Sequence, residues 1–155
     1  MELGHSHKQD FLTVGGMGHA SQIALGIAYQ KPEKRVICID GDGAALMHMG
    51  SMVTNGISQL SNFKHIILNN GAHDSVGGQP TAGFRIDIPK IACACGYKVT
   101  ASCNNIKDGQ NAIRSILQSK GPVALELKVD KGHRKELGRP KSTPRENKQS
   151  FMNFI

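Results

Sequence analysis

The chain has 155 residues, enough for one domain with a real core and too few for two domains of ordinary size. Aromatic residues make up only 5%, tryptophan is absent and there are 18 glycines, so the core must be aliphatic and the backbone must approach something closely in several places. The formal net charge is +7, but from Lys131 to Ile155 seven Lys or Arg face only Glu136 and Glu146; a basic tail without interleaved aromatics reads as a solvated or subunit-docking segment rather than a nucleic-acid surface.

In chain order, Met1 to Asp10 is polar and lacks the hydrophobic core of a leader. Phe11-Leu12-Thr13-Val14 predicts a short buried strand, broken by Gly15-Gly16, after which Ala20, Ile23, Ala24 and Ile27 recur at helical spacing up to Lys31-Pro32. Val36 to Ile39 predicts the next strand. Leu46, Met49, Val53, Ile57 and Leu60 then predict one face of a single helix reaching about Leu60. Ile66 to Leu68 reads as a third strand, and the glycine-rich stretch from Gly71 to Phe84 as a long loop over the strand ends, where α/β proteins bind ligands. A short helix is expected over Ile88 to Cys95, a strand over Tyr97 to Thr100, a helix over Lys107 to Gln118 and an apolar strand over Pro122 to Val129. This β-α alternation predicts an α/β fold, three layers with a mainly parallel sheet between helices. Past Val129 the periodicity stops, and Pro140 to Pro144 reads as an extended linker into an amphipathic piece whose Phe151, Met152 and Phe154 are expected to dock.

Cys38, Cys93, Cys95 and Cys103 form neither a C-x-x-C motif nor the framework of a small secreted scaffold, so buried thiols are the simpler account than zinc or disulfides. No segment has the apolar length to span a bilayer, and a cytoplasmic location is expected.

The residues that carry chemistry stand at strand ends. Gly41-Asp42-Gly43 follows Val36 to Ile39, and Asn69-Asn70 ends Ile66 to Leu68, with Asn70 28 residues after Asp42. One carboxylate and one amide delivered together suit a hard divalent cation, which takes oxygen ligands and completes its shell with water and phosphate. Gly43 and Ala44 open a predicted helix whose free N–H groups can meet an anion. An ordinary glycine turn is the alternative reading of Gly-Asp-Gly alone. A dinucleotide-binding loop fits less well: Gly16-x-Gly18 is not completed three residues later, where Ser21 stands.

Gly-Asp-Gly, a gap of this length and Asn-Asn together resemble the thiamine-diphosphate enzymes. The resemblance implies Mg²⁺ held by Asp42, Asn70 and the backbone carbonyl of Ala72, a diphosphate held by Gly43 with Ala44, and Gly41 among the cofactor-binding residues beside them. It also implies a propping loop at Gly15-Gly16-Met17-Gly18. There Met17 is the apolar wedge under the bent cofactor, a shape a soft thioether chain fills, and the Gly15 carbonyl accepts from the cofactor's amino group; a core methionine is the other reading of Met17. Over nearly the whole chain, Phe11 to Ala20, Gly41 to Gly50 and Asn69 to Thr81 look like the phosphonopyruvate decarboxylases, and the tail from Gly138 to Met152 fits as well. Gly16 departs from the serine many relatives carry, which loosens the loop without removing a metal ligand. The sulfopyruvate decarboxylases share much of the pattern.

The resemblance implies decarboxylation of 3-phosphonopyruvate to phosphonoacetaldehyde, with thiamine diphosphate as electron sink. His73 and Ser75 are candidates for substrate contact or protonation, with a plain surface histidine as the alternative. Arg85 and Arg139 are candidates for the substrate's dianion. Residues 1–130 are expected to be the diphosphate-binding domain and 131–155 a basic extension docking on it or on a partner. The family's activating glutamate belongs to a pyrimidine-binding domain, so the chain is expected to be a fragment, a truncated product or one subunit of a split oligomeric enzyme. Alone it should be inactive, with a large apolar face open to that partner. A non-catalytic cofactor-binding assembly module is the reading of another class.

Overall fold

The computed structural model describes residues 8–133, 135–137, 140 and 142–155. Gly18–Gly132 forms one compact unit; the segments flanking it, up to Met17 and from His133, form a second.

The larger unit alternates as the sequence predicts: α1 (Ala20–Gln30), β1 (Val36–Gly41), α2 (Asp42–Met47), α3 (Ser51–Ile57), β2 (Phe63–Asn69), α4 (Ile88–Ala94), β3 (Val99–Cys103), α5 (Ile106–Gln118) and β4 (Val123–Lys128). The four strands form one sheet in the order β1-β2-β4-β3, and every neighbouring pair is parallel. Register aligns Ile39, Ile66, Leu125 and Ala101 across the sheet, and Asp40, Ile67, Glu126 and Ser102 one row on. Because side chains alternate along a strand, these rows face opposite sides.

On the side of Ile67, the core gathers Cys38, Phe63 and Ala124 with Ala24 and Ala28 of α1, Met52 of α3 and Ala92 of α4. On the other side, Ile66, Val123 and Leu125 pack against Ile116 of α5. That second helix layer leaves β1 bare: Ile37 is 43% exposed and Ile39 63%. Among the described residues no helix is long and apolar enough to cross a membrane.

Two expected elements differ. The predicted helix to Leu60 is two short helices, because His48 leaves the helical region at φ −128°, ψ 49° and the chain turns through Met49-Gly50 before Ser51. The middle of its supposed inner face is turned outward, with Met49, Val53 and Ile57 exposed and Leu46 and Leu60 half-buried, while Met52 and Asn55 are buried. The predicted strand at Phe11 to Val14 does not form. Its neighbourhood is bonded by a side chain instead: Leu12 N donates to Asn147 Oδ1 at 2.8 Å, and Asn147 Nδ2 donates to the Asp10 carbonyl at 2.9 Å. Asn147 stands on α6 (Pro144–Phe154), which starts with a capping box between Thr143 and Glu146. Phe151 of α6 is buried with its ring centroid 5.5 Å from that of Phe11, whereas Met152 and Phe154 remain exposed.

Asn62 clamps the entry to the sheet. Its Nδ2 donates to the carbonyls of Ala28, Lys31 and Lys34 at 2.9, 3.0 and 2.9 Å, tying the end of α1 and the approach to β1 to the start of β2. Asn62→Ala is expected to lower stability by about 1–3 kcal/mol, read as a lower urea midpoint at an unchanged m-value.

Candidate functional site

Parallel strands bring their C-terminal ends to one edge, and the two sequence motifs meet that edge. Gly41 is the last residue of β1, in extended backbone, and Asp42 opens α2. Asn69 is the last residue of β2. Asp42 is 1% exposed, an environment that punishes any carboxylate oxygen left without a partner. One oxygen, Oδ2, accepts from the Thr81 hydroxyl. The other, Oδ1, is buried and has no hydrogen-bond partner among the described residues.

The loop after β2 folds back on itself. His73 N donates to the Gln79 carbonyl at 2.8 Å and Thr81 N to the Gly71 carbonyl at 3.0 Å, with Ala72 opposite Pro80. Neither bond uses the Ala72 carbonyl. The closure carries Thr81 to Asp42 and Gly83 to a place where a Cβ would overlap both Asp42 Oδ2 and Asn69 Oδ1. No residue but glycine fits there without displacing the carboxylate or the amide.

Asn69 is the interior anchor. Fully buried, it donates from Nδ2 to the Gly83 carbonyl at 2.9 Å and to Glu126 Oε1 at 2.6 Å, and its Oδ1 accepts from Gly71 N at 3.1 Å. Glu126, 3% exposed on β4, also accepts from the Ser102 hydroxyl. Asn70 turns toward its own loop: Nδ2 donates to Asp74 Oδ2 at 2.8 Å, and Oδ1 accepts from Ala72 N at 3.0 Å. As a carbonyl oxygen with two lone pairs, Oδ1 retains capacity for a further partner.

His73 lies against α2: a Cβ on Gly43 would sit 2.6 Å from His73 Cε1. Ala44 is half-buried beside it, while Ser75 and Arg85 are exposed. Gly15, Gly16 and Met17 belong to the other compact unit, with Gly15 and Gly16 at φ +77° and +61° and Met17 half-buried. Arg139 lies outside the described residues.

Sequence reasoning passed over Thr81, Gly83 and Glu126. A lone acid inside the otherwise apolar run Val123 to Leu127 was the one available signal for Glu126. Thr81 and Gly83 carried none, because their role comes from a loop closure about forty residues from Asp42.

The chemistry of the predicted ligands suits a small hard cation: a carboxylate oxygen of Asp42 with no hydrogen-bond partner among the described residues, an amide oxygen of Asn70 and the Ala72 carbonyl, with no soft ligand among them. Residues 3–127 match the family described as thiamine pyrophosphate enzyme, C-terminal TPP binding domain. The chain is 40% identical over 147 residues to a phosphonopyruvate decarboxylase of Streptomyces viridochromogenes, a match that covers 95% of this chain and 37% of that protein. It is 32% identical over 151 residues to the beta subunit of a sulfopyruvate decarboxylase of Methanococcus maripaludis, covering 97% of this chain and 80% of the subunit. The chain therefore spans just over a third of the curated phosphonopyruvate decarboxylase it matches. In fold it is similar to a crystal structure from Mycobacterium smegmatis provisionally described as a thiamin diphosphate-dependent enzyme, with a TM-score of 0.62 and 23% identity over 76% of this chain and 23% of that one.

Gly83→Ala is expected to destabilise the chain by about 1–3 kcal/mol, the usual cost of overpacking a filled site. Gly50→Ala, where a Cβ meets nothing within 4 Å, should stay within about 0.5 kcal/mol of the parent. Paired urea denaturation curves check the contrast.

Proposed function

The chain belongs to the C-terminal TPP binding domain family of the thiamine pyrophosphate enzymes, and from that membership we propose that it is the diphosphate-binding part of a Mg²⁺- and thiamine-diphosphate-dependent decarboxylase of 3-phosphonopyruvate. The product would be phosphonoacetaldehyde with CO₂, and the working site would be completed by a pyrimidine-binding domain or subunit, within an oligomer. The observation that carries the reading is Asp42 Oδ1, a buried carboxylate oxygen at the strand end with no partner among the described residues. The 40% identity to a phosphonopyruvate decarboxylase over 95% of this chain favours the phosphono substrate.

Asp42, Asn70 and the Ala72 carbonyl would hold the cation, and Gly43 with Ala44 the diphosphate, with Gly41 lining the cofactor beside them. When bound, thiamine diphosphate supplies the electron sink onto which a 2-keto acid loses CO₂. Buried Asn69 and Glu126 keep the loop after β2 in register, so the groups facing the cation are fixed before it arrives. Met17 would prop the cofactor's bend, with the Gly15 carbonyl accepting from its amino group and Gly16 leaving the loop room to turn. His73, packed on Gly43, would hold the proton that the product carbon takes up, and Ser75 and Arg85 would face the substrate's acidic group. Residues 131–155 would dock on the domain or on its partner.

A second reading rests on coverage. The match to the sulfopyruvate decarboxylase beta subunit takes in 80% of that subunit, a chain of similar extent, which favours a sulfonate in place of the phosphonate. Co-expression with a pyrimidine-binding domain and a CO₂-release assay on both keto acids separates the two. Turnover of 3-phosphonopyruvate at least tenfold faster than of sulfopyruvate is the expected result. Cofactor binding with no turnover of either would leave only an assembly module.

Asp42→Asn is expected to weaken Mg²⁺-dependent binding of thiamine diphosphate by about tenfold or more, on the order of 1.4 kcal/mol, with the circular dichroism spectrum kept. An unchanged affinity in isothermal titration would remove Asp42 from the cation. Met17→Ala should lower turnover of the assembled enzyme far more than cofactor affinity, since a wedge shapes the bound rings without anchoring the phosphates; equal losses in both would count against that role.

A further inference from the structure

A second set of donor atoms lies inside the sheet, on residues the decarboxylase reading leaves unused. Cys38 and Asp40 are alternate residues of β1 and so share a face, and His65 of β2 is the register partner of Cys38. All three are buried, at 4%, 6% and 1% exposure. Their donor atoms lie within 4.8 Å of one another. Asp40 Oδ2 is 3.0 Å from His65 Nε2 and 3.6 Å from Cys38 Sγ.

The Asp40–Cys38 spacing falls within the edge lengths of a coordination tetrahedron, and the Asp40–His65 spacing lies a few tenths of an ångström below them. With Zn–N and Zn–O near 2.0–2.2 Å and Zn–S near 2.3 Å, ligand atoms stand about 3.3–3.8 Å apart. The surroundings of His65 add an independent observation: its Nδ1 is 3.1 Å from the Tyr97 hydroxyl. A metal-binding histidine uses one ring nitrogen on the cation and gives the other N–H to an outer partner that fixes tautomer and ring orientation, and Tyr97 is placed to be that partner.

We propose that Cys38, Asp40 and His65 form a binding site for one borderline-soft divalent cation of the Zn²⁺ type, strapping β1 to β2. Thiolate, carboxylate and neutral imidazole carry two negative charges, which a divalent cation cancels inside this buried layer. A thiolate and an imidazole are ligands that Mg²⁺ does not select, whereas Zn²⁺ does. The two cation sites of the chain are therefore sorted by ligand softness, oxygen only around Asp42 and S/N/O around His65. Three protein ligands leave a fourth position for an exogenous one. A thiol binds such a cation as its thiolate, so the entering cation displaces the Cys38 proton.

The probe is Co²⁺, added to the metal-stripped full chain in excess Mg²⁺ without thiamine diphosphate, so the outcome does not depend on the decarboxylase reading. One equivalent should produce thiolate-to-cobalt charge transfer in the near ultraviolet and intense tetrahedral d–d bands in the visible. Both should persist when Cys93, Cys95 and Cys103 are all replaced by Ser, which leaves Cys38 as the sole thiol. Cys38→Ser should abolish the charge transfer, and His65→Gln should lower the Co²⁺ affinity at least tenfold. One equivalent of Zn²⁺ should raise the melting temperature of the parent chain, since a ligand of the folded state alone stabilises it. No charge transfer in the parent, or its loss in the triple-serine chain, overturns the site even if the Cys38 variant fails to fold.

Discussion

A strand inside a parallel sheet must satisfy its backbone on both sides, and β2 does so between β1 and β4 over nearly its whole length, from Lys64 beside Val123 to Asn69 beside Lys128. Because the pairs are all parallel, β1 and β2 end at the same edge, so Asp42 and Asn69 leave the sheet side by side without any dedicated contact to bring them there. The course of the chain beyond β2 is then fixed by one buried amide. Asn69 holds the Gly83 carbonyl, the Gly71 N–H and Glu126 at once, and the loop between Gly71 and Gly83 has little choice of path. The Thr81 bond to Asp42 and the close seat of Gly83 are results of that path.

Both buried carboxylates of the sheet interior, Asp40 and Glu126, lie in the row through Ile67. Each is met by hydrogen-bonding groups, Asp40 by His65 and Cys38, Glu126 by Asn69 and Ser102. Polar groups so satisfied in a low-dielectric layer resist displacement more than an exposed pair would. An aliphatic core with few aromatics thus gains directional bonds close to the strand ends, where the loops need a fixed base.

Much of this architecture was legible because hydrophobic period and punctuation agree. The run Val36 to Ile39 before Gly-Asp-Gly, and Ile66 to Leu68 before Asn-Asn, are strands where periodicity put them, and α5 starts one residue from its expected position. The two misreadings have separate physical causes. Phe11 to Val14 has strand composition, yet its backbone partner is a side chain 135 positions on, in a helix no local signal links to it. In the stretch from Leu46 to Leu60 the apolar residues do keep helical spacing, but the chain turns at His48 to Gly50 and rotates that spacing outward. The Asp42 and Asn69 positions were readable as strand termini. Thr81, Gly83 and Glu126 were not, since what defines them is closure of a loop and pairing across strands rather than anything in neighbouring sequence.

The solitary oxygen of Asp42, Oδ1, also bears on how this chain would drift under selection. An uncompensated lone pair in the interior is a burden on the unliganded fold, and a protein carrying one at its ligand edge is less stable than it could be. Selection for heat tolerance in the absence of ligand would therefore favour apolar replacements at position 42, and would enrich sequences that had lost the very group the edge is built around.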